Sequence, residues 1–552
     1  MSAAFVAVSA ISLFLLGYRF YSRFLARRVF AISDSELTPA HELNDGVDYV
    51  PAPKVVLFGH HFASIAGAAP IIGPAIAVFW GWVPAVLWVV FGTVFMGAVH
   101  DFSALVISAR NRGRTVGDIA GDLVTPRVRT LFLVIVYFLI FFVMAVFAYA
   151  IAVLFVGFPS SVLPVNFQIL VALALGFLFY RRKANITVPT IVALFLLAGA
   201  IWAGMNYNIT VPPLLGSEVA TWVVILLVYS FVASVLPVWT LLQPRDYINS
   251  YMLIFGLGLM IIGLFVSNPE ISAPAFNLKS ATDGVPLIPF LFVTIACGAI
   301  SGFHGLVSSG TTSKQIDKMT HCRPIGYGCM LGEGTLAIIA VLAVTAGIGQ
   351  TEWFEKYATW GGAKSGGISN FVLGASAFLG GIRMPHELAA TIVSVMVISF
   401  ASTSLDTSTR IQRLIIGELA TEYKVSFLKN RYVATVFAVV PALMLALLAQ
   451  APGKGPGSGG FILWPLFGAT NQLIAGFTLL VATIYLWKTK RPFIYTLVPM
   501  ALVIITSIAS VILNIFNLSG NFLLQFLSFC ILALAVWLIF EAVAYLRAMR
   551  KT

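Results

Sequence analysis

The sequence predicts an all-α polytopic membrane protein with about 15 transmembrane helices. Hydrophobic residues make up 59% of its 552 residues and charged residues only 10%, whereas soluble domains carry about 25% charged residues. The mean hydropathy is +0.96. Apolar runs of roughly 20 residues, the length that crosses a bilayer as a helix, recur along the whole chain. These observations exclude a soluble globular protein.

Hydropathy divides the chain into fifteen predicted spans. In chain order they lie near residues 2–20, 57–80, 84–109, 130–157, 166–180, 186–206, 218–241, 249–267, 286–311, 327–349, 387–405, 432–449, 461–486, 493–515 and 521–546. The segment 371–380 is too short to cross and is a candidate re-entrant segment. We expect one transmembrane domain over residues 1–552, made of a first helix and loop (1–56), a core (57–405) and C-terminal helices (406–552).

Most lysine and arginine residues lie in loops on one side of the predicted spans, so the net charge of +12 indicates the orientation of the protein in the membrane. Cytoplasmic loops of membrane proteins are rich in these residues. We therefore expect the N-terminus outside and the C-terminus in the cytoplasm, with the lipid bilayer and not nucleic acid as the partner. The basic residues that fall on the outer side are Lys279, Lys356, Lys364, Arg383 and Lys454.

Span two carries the strongest functional signal, because glycine and proline interrupt its apolar run at a density that breaks the hydrogen-bond ladder of a helix. Secondary transporters build substrate sites from such broken helices, and the unpaired N–H groups of a half-helix suit a carboxylate. A packing kink between closely apposed helices is the alternative. The predicted substrate-binding residues of this span are His61, Ser64, Gly67, Pro70 and Gly73.

A second interruption is predicted in span seven, which contains Pro237 and is followed by Pro244. Spans two and seven run in opposite directions, so two broken helices five spans apart indicate an inverted repeat of spans 2–6 and 7–11. This arrangement resembles the LeuT-like fold of the amino acid–polyamine–cation transporter superfamily. Pro237 is therefore added to the predicted substrate site, and Arg245-Asp246 is interpreted as a cytoplasmic gate or anchor.

Four blocks of sequence resemble the carbon starvation protein A (CstA) family. They are PAPKVVLFGHHFASIAGAAPIIGPAIA (51–77), WGWVPAVLWVVFGTVFMGAVHDFSALVISARNRGRTVGDI (80–119), SGFHGLVSSGTTSKQI (301–316) and LWPLFGATNQLIAG (463–476). The resemblance implies a bacterial inner-membrane transporter induced by nutrient limitation, which takes up peptides or, in several members, pyruvate by proton symport. We therefore expect proton-coupled uptake of a small carboxylate, pyruvate first, with uptake of short peptides as the alternative.

Ionisable residues inside the first predicted spans are candidates for proton coupling, because such residues are costly in a membrane and mark functional sites. His60 and His61 open span two; histidine titrates near neutrality, so they can relay a proton, or else they cap the helix at the interface. His100-Asp101 in span three is a second candidate relay, with a structural hydrogen-bond network as the alternative.

Spans nine and ten add further polar candidates. His304 repeats the pattern of a histidine at membrane depth, and Glu333 suits a proton carrier if it is buried but is merely solvated if it lies at the interface. In the LeuT-like fold, the helix equivalent to span nine supplies hydroxyl groups to a sodium site, a role that Ser308 and Ser309 would fill if sodium is the coupling ion. Interhelical hydrogen bonding is the alternative for these serines.

Other classes of function lack their motifs. His386-Glu387 is not followed by the second histidine of a zinc protease motif, since Ala390 stands there, and no GxxxxGK[ST] loop is present. The pair His321-Cys322, with one further cysteine nearby, lacks the fourth ligand of a structural zinc site. No enzymatic activity, catalytic residue, cofactor or metal site is therefore expected.

Overall fold

The computed structural model describes residues 1–46, 48–182, 185–237, 239–277, 285–450, 455–517 and 520–549. Across these ranges the long elements are helices, and the described residues form no β-strand beyond two isolated bridges. Within these described ranges, 14 helices are long and apolar enough to cross a membrane, and one bent pair of shorter helices makes a fifteenth span. The all-α class and the count of fifteen spans are therefore confirmed.

The first eight spans follow the predicted order. Span one is α1 (Ala3–Val29), and span two is a pair, α2 (Lys54–Ile65) and α3 (Ala69–Trp80), bent by 49°. Spans three to eight are α4 (Trp82–Arg110), α6 (Pro126–Gly157), α7 (Pro159–Phe179), α8 (Thr187–Asn206), α9 (Glu218–Val235) and α10 (Leu242–Ser267), with the short α5 (Val116–Leu123) between α4 and α6.

Span nine is also divided, into α11 (Leu287–Ile295) and α12 (Gly302–Gly310). Spans ten to fifteen are α13 (Met319–Ala346), α16 (His386–Glu422), α17 (Arg431–Leu448), α18 (Gly459–Lys488), α19 (Ile494–Asn517) and α20 (Phe522–Met549). Between α13 and α16 lie α14 (Gln350–Lys356) and α15 (Trp360–Gly380). Five basic residues used in the predicted charge asymmetry lie outside the described residues: Lys183, Lys279, Lys454, Arg550 and Lys551.

Two helices are longer than the sequence predicts. The segment 371–380 is the second half of α15, a helix of 21 residues. The first half of this helix is glycine-rich and polar, so its hydropathy is too low to predict a helix there. This helix packs against α3 and α13. Similarly, α16 has 37 residues and continues past the predicted end at residue 405; Asp406, the first residue beyond that end, is fully buried.

The predicted break in span seven is wrong, and the second broken helix is span nine. The helix α9 is continuous to Val235, Pro237 is exposed in the connection to α10, and Pro244 lies in the first turn of α10, where a missing N–H is tolerated. Span nine instead loses helical geometry between Ile295 and Gly302. If each half of the inverted repeat starts with a broken helix, the second half therefore begins at span nine and not at span seven.

The two broken spans pack against each other at backbone distance. A Cβ atom built on Gly73 in α3 would lie 2.3 Å from the carbonyl oxygen of Thr294 in α11. Similarly, a Cβ atom on Gly468 in α18 would lie 2.1 Å from the carbonyl oxygen of Val293. Small residues allow this approach, as is typical of helix packing in membranes. The end of α11 is thus held from two sides directly before its break.

Candidate functional site

Four buried side chains form a continuous chain of contacts across three helices. In α4, Asp101 Oδ1 lies 2.7 Å from Nδ1 of the neighbouring His100. The other carboxylate oxygen, Oδ2, lies 3.0 Å from Nδ1 of His304 in α12. The other ring nitrogen of His304, Nε2, lies 3.2 Å from Oε2 of Glu333 in α13. All four side chains are at most 1% exposed. We call these residues the histidine–carboxylate chain.

Glycines on the facing helices create the space in which this chain forms. A Cβ atom on Gly305 in α12 would lie 3.1 Å from the ring of His100, and one on Gly97 in α4 would lie 2.2 Å from the carbonyl oxygen of Ala299 in the break of span nine. The absence of these side chains lets α4 and α12 approach closely. His304 can therefore reach Asp101 although 203 positions separate them in sequence.

The charge balance of this chain makes it suited to hold a proton. Buried carboxylates are costly unless they are paired, and His304 contacts both of them. If one of the two histidines is charged and both carboxylates are ionised, the chain carries one net negative charge, which a single further proton removes. Ionisable residues at membrane depth that contact one another in this way are typical of proton pathways. The four predicted proton-coupling residues of spans three, nine and ten thus lie together.

The two histidines of span two differ in their surroundings. His61 is fully buried, its Nδ1 lies 2.8 Å from Thr312 Oγ1, and its Nε2 has no hydrogen-bond partner among the described residues. His60 is only half-buried. Of the adjacent pair, His61 is therefore the one that is enclosed by the protein and contacts the polar segment that follows α12.

The predicted substrate-binding residues of span two surround its break. Ser64 Oγ donates to the carbonyl oxygen of His60 at 2.8 Å, which leaves its oxygen as an acceptor. Gly67 lies in the break itself, where a Cβ atom would come within 2.5 Å of Ser404 Oγ in α16. Pro70 lies in the first turn of α3, and Gly73 faces α11. Pro237, by contrast, is exposed in the connection between α9 and α10.

The predicted sodium-site serines are not equivalent. Ser309 Oγ donates to the carbonyl oxygen of Gly305 at 2.6 Å and accepts from the N–H of Val116 at 3.2 Å. Ser308 Oγ is buried and has no hydrogen-bond partner within the described part of the chain. Only Ser308 therefore offers an uncommitted hydroxyl. Among the described residues, no group of three or more His, Cys, Asp and Glu side chains is arranged to hold a metal ion.

Comparison with protein families decides the relationship of the chain. The family model "Carbon starvation protein CstA" matches residues 2–360 and 355–510. The chain belongs to the CstA family. A Bacillus subtilis relative named peptide transporter CstA is 33% identical over 92% of this chain and 89% of its own length. A Campylobacter jejuni relative of the same name is 32% identical over 90% of this chain and 79% of its own length. The pyruvate/proton symporter BtsT of Escherichia coli is 31% identical over 89% of this chain and 78% of its own length.

Solved structures confirm the fold of this CstA-family chain. The crystal structure of a manganese transporter from Eremococcus coleocola superposes with a TM-score of 0.54 at 10% identity, covering 91% of this chain and 99% of that one. This likeness shows a LeuT-like fold. The curated relatives are named transporters, so the chain is a multi-pass membrane transporter and not an enzyme.

Asn471 in α18 bridges the break of span nine, a role that the sequence does not predict. Its Oδ1 accepts from the N–H of Phe303, in the first turn of α12, at 3.0 Å. Its Nδ2 contacts Ser301 Oγ at 3.1 Å and Cys297 Sγ at 3.0 Å. The side chain thus replaces backbone partners that the break removes. In the sequence, Asn471 is distinguished only by being a polar residue within an apolar span.

We expect Asn471→Ala to destabilise the protein by about 1–3 kcal/mol, because it leaves buried donors of span nine without an acceptor. The measurement is thermal unfolding of the purified protein in detergent. Asn166→Ala is the matched control, since the Asn166 amide donates only to the carbonyl oxygen of Val162 in its own helix among the described contacts. Equal losses in both variants would contradict a special role for Asn471.

A second buried polar cluster joins α9, α10 and α16. Arg245 Nη1 donates to Tyr229 Oη at 2.7 Å and also contacts Asp406 Oδ2. Tyr229 Oη lies 3.1 Å from the same carboxylate oxygen. The arginine side chain is 3% exposed and the aspartate is fully buried. Both residues lie just outside the predicted spans 218–241, 249–267 and 387–405, and only the packing of the three helices shows that they are buried together.

Proposed function

We propose that this transporter imports a small carboxylate, pyruvate first, together with a proton. The observation that carries the proposal is that His304, on the second half of a broken span, contacts two buried carboxylates from neighbouring helices. A protonation change at His304 therefore acts on a helix that is already divided. Proton coupling requires such a connection between a buried titrating group and a movable element.

The proposed mechanism is alternating access around the breaks of spans two and nine. The substrate carboxylate binds near these breaks, which lie at membrane depth. A proton enters the histidine–carboxylate chain and removes its net negative charge. The broken spans then rock against α6 and α16, and the site opens on the opposite side. Sodium at Ser308 is the alternative coupling ion.

The choice between substrates rests on the names of relatives. BtsT is a pyruvate/proton symporter by name, and a buried proton-holding chain suits that chemistry. Peptides are the second candidate, because other relatives are named peptide transporters. A peptide with a free C-terminus presents the same carboxylate to the breaks. Both candidates therefore use one binding mode for their anionic group.

We also propose a bacterial inner-membrane location and a role during nutrient limitation. The basic residues on one side of the spans support an external N-terminus and a cytoplasmic C-terminus. The proposed organisation is a first helix and loop (1–56), a core (57–405) and C-terminal helices (406–552). Labelling of single cysteines placed in each loop of whole cells tests the orientation.

In proteoliposomes with an alkaline interior, we expect labelled pyruvate to accumulate about tenfold per unit of pH gradient, the value for one proton per substrate. One proton and one pyruvate anion carry no net charge, so a potassium diffusion potential alone should have no effect. If two protons move, a potential of 100 mV instead adds about 2.3 kcal/mol of driving force.

The control replaces sodium by choline and leaves the pH gradient unchanged. Uptake that follows sodium and ignores pH would contradict proton coupling. Accumulation of a labelled tripeptide without any pyruvate uptake would move the proposal to peptides.

A further inference from the structure

Arg245 uses only part of its hydrogen-bonding capacity although it is buried. Among the described residues, Nη1 has partners on Tyr229 and Asp406, whereas Nε and Nη2 have none. The Asp406 carboxylate contacts the guanidinium through Oδ2 alone, and its Oδ1 is also unpartnered. The ion pair is therefore made through Nη1 alone, and the edge formed by Nε and Nη2 has no partner among the described residues.

An unpartnered guanidinium edge in a buried position is available to bind an anionic group. Leaving buried N–H groups without acceptors is costly, particularly when they carry charge. The parallel Nε–H and Nη2–H groups match the two oxygen atoms of a carboxylate, which they bind as a bidentate pair.

The cluster lies at the depth of the break in span two. Ser404 is the residue that a Cβ atom on Gly67 would meet, and Asp406 follows two positions later on the same helix. Two residues of α-helix correspond to a rise of about 3 Å. The carboxylate that holds Arg245 is therefore nearly level with the broken backbone, on a different side of α16 from Ser404, and not at the membrane surface, where a gate or anchor is expected. The helix that carries Arg245, α10, packs against α2, the first half of span two.

We propose that the Nε–Nη2 edge of Arg245 binds the carboxylate of the transported substrate. This inference rests on the proposed function and deepens it. Tyr229 and Asp406 are positioning residues, since they hold the opposite edge of the guanidinium. Asp246, the next residue along α10, has one buried oxygen without a partner among the described residues. A carboxylate that arrives with a proton leaves the net charge of this cluster unchanged.

The test compares binding of pyruvate with binding of its neutral methyl ester to purified protein in detergent, by calorimetry and without a pH gradient. In Arg245→Lys the charge remains but the bidentate edge is lost. We expect the Kd of pyruvate to rise at least about tenfold and that of methyl pyruvate to change less than about threefold. Arg127→Lys is the matched control, because the Arg127 side chain is 78% exposed.

A second, milder variant keeps the inference testable if Arg245→Lys does not fold. Tyr229→Phe removes one hydroxyl that holds the guanidinium and is expected to raise the Kd of pyruvate, but not of the ester, by about threefold. If both variants bind the acid and the ester in the wild-type ratio, the inference is overturned while the proposed function stands. If the wild type binds a tripeptide but not pyruvate, the comparison is repeated with the tripeptide and its C-terminal amide in place of pyruvate and methyl pyruvate. The ratio of their two Kd values in each variant then tests the inference. Binding of neither ligand by the wild type would overturn the proposed function and this inference with it.

Discussion

The Asp101→Asn variant is expected to fold and to exchange substrate but to lose accumulation against a pH gradient. Asp101 joins His100 to His304, so the neutral amide breaks the histidine–carboxylate chain at its centre. At a gradient of one pH unit, the inside-to-outside ratio of pyruvate should fall from about ten to about one. An asparagine resembles the protonated aspartate, so exchange of internal for external pyruvate, which needs no gradient, should continue.

Asp122→Asn is the matched control for this substitution. Asp122 is an aspartate at the end of α5 whose side chain is 62% exposed and pairs with Arg114. Glu333→Gln, at the other end of the chain, should reproduce the loss of accumulation. Wild-type accumulation by Asp101→Asn would show that the coupling proton is held elsewhere.

Gly73→Ala is expected to disturb the contact between the two broken spans. The added methyl group would lie 2.3 Å from the carbonyl oxygen of Thr294 and 3.1 Å from the Cα atom of Ile295. Both obstacles are backbone atoms, so no side-chain rotation relieves the clash, and overpacking of this kind costs about 1–3 kcal/mol or more. We expect a lower unfolding temperature in detergent together with loss of uptake.

The control is Gly199→Ala in α8, where a Cβ atom meets nothing within 4 Å. Alanine favours a helix over glycine by up to about 1 kcal/mol, so this variant should be unchanged or slightly stabilised. If Gly73→Ala is as stable and as active as Gly199→Ala, the close contact between α3 and α11 does not matter for transport.

Hydropathy predicts the spans of this protein well because the bilayer imposes one length on each of them. It fails where tertiary contacts replace hydrophobicity. The break in span nine contains no proline, and Asn471, which bridges it, is 168 positions away from its partner Phe303. Conversely, Pro237 and Pro244 flank a connection, where proline ends one helix and begins the next. Proline alone therefore does not distinguish a broken span from a turn.

The sequence also predicts the members of the candidate site better than their arrangement. His100, Asp101, His304 and Glu333 stand out because each is an ionisable residue in an apolar span. That they form one chain depends on the approach of α4, α12 and α13, which no local pattern encodes. The sequence likewise predicts a cytoplasmic gate or anchor at Arg245-Asp246, because no local pattern shows that Arg245 is buried. Its partner Asp406 lies where α16 continues as a helix beyond its last strongly apolar stretch.

The length of α16 has a mechanical consequence. Its 37 residues extend about 55 Å, although the apolar core of a bilayer is only about 30 Å thick. Ser404, beside the first break, is about 27 Å from the end at Glu422, which pairs with Arg129 at 3.1 Å. A tilt of about 10° around the level of Ser404 would displace that end by about 5 Å, enough to separate the pair. Any rotation of α16 relative to α6 at the level of the first break would therefore be amplified at the protein surface, and the Arg129–Glu422 pair opposes it.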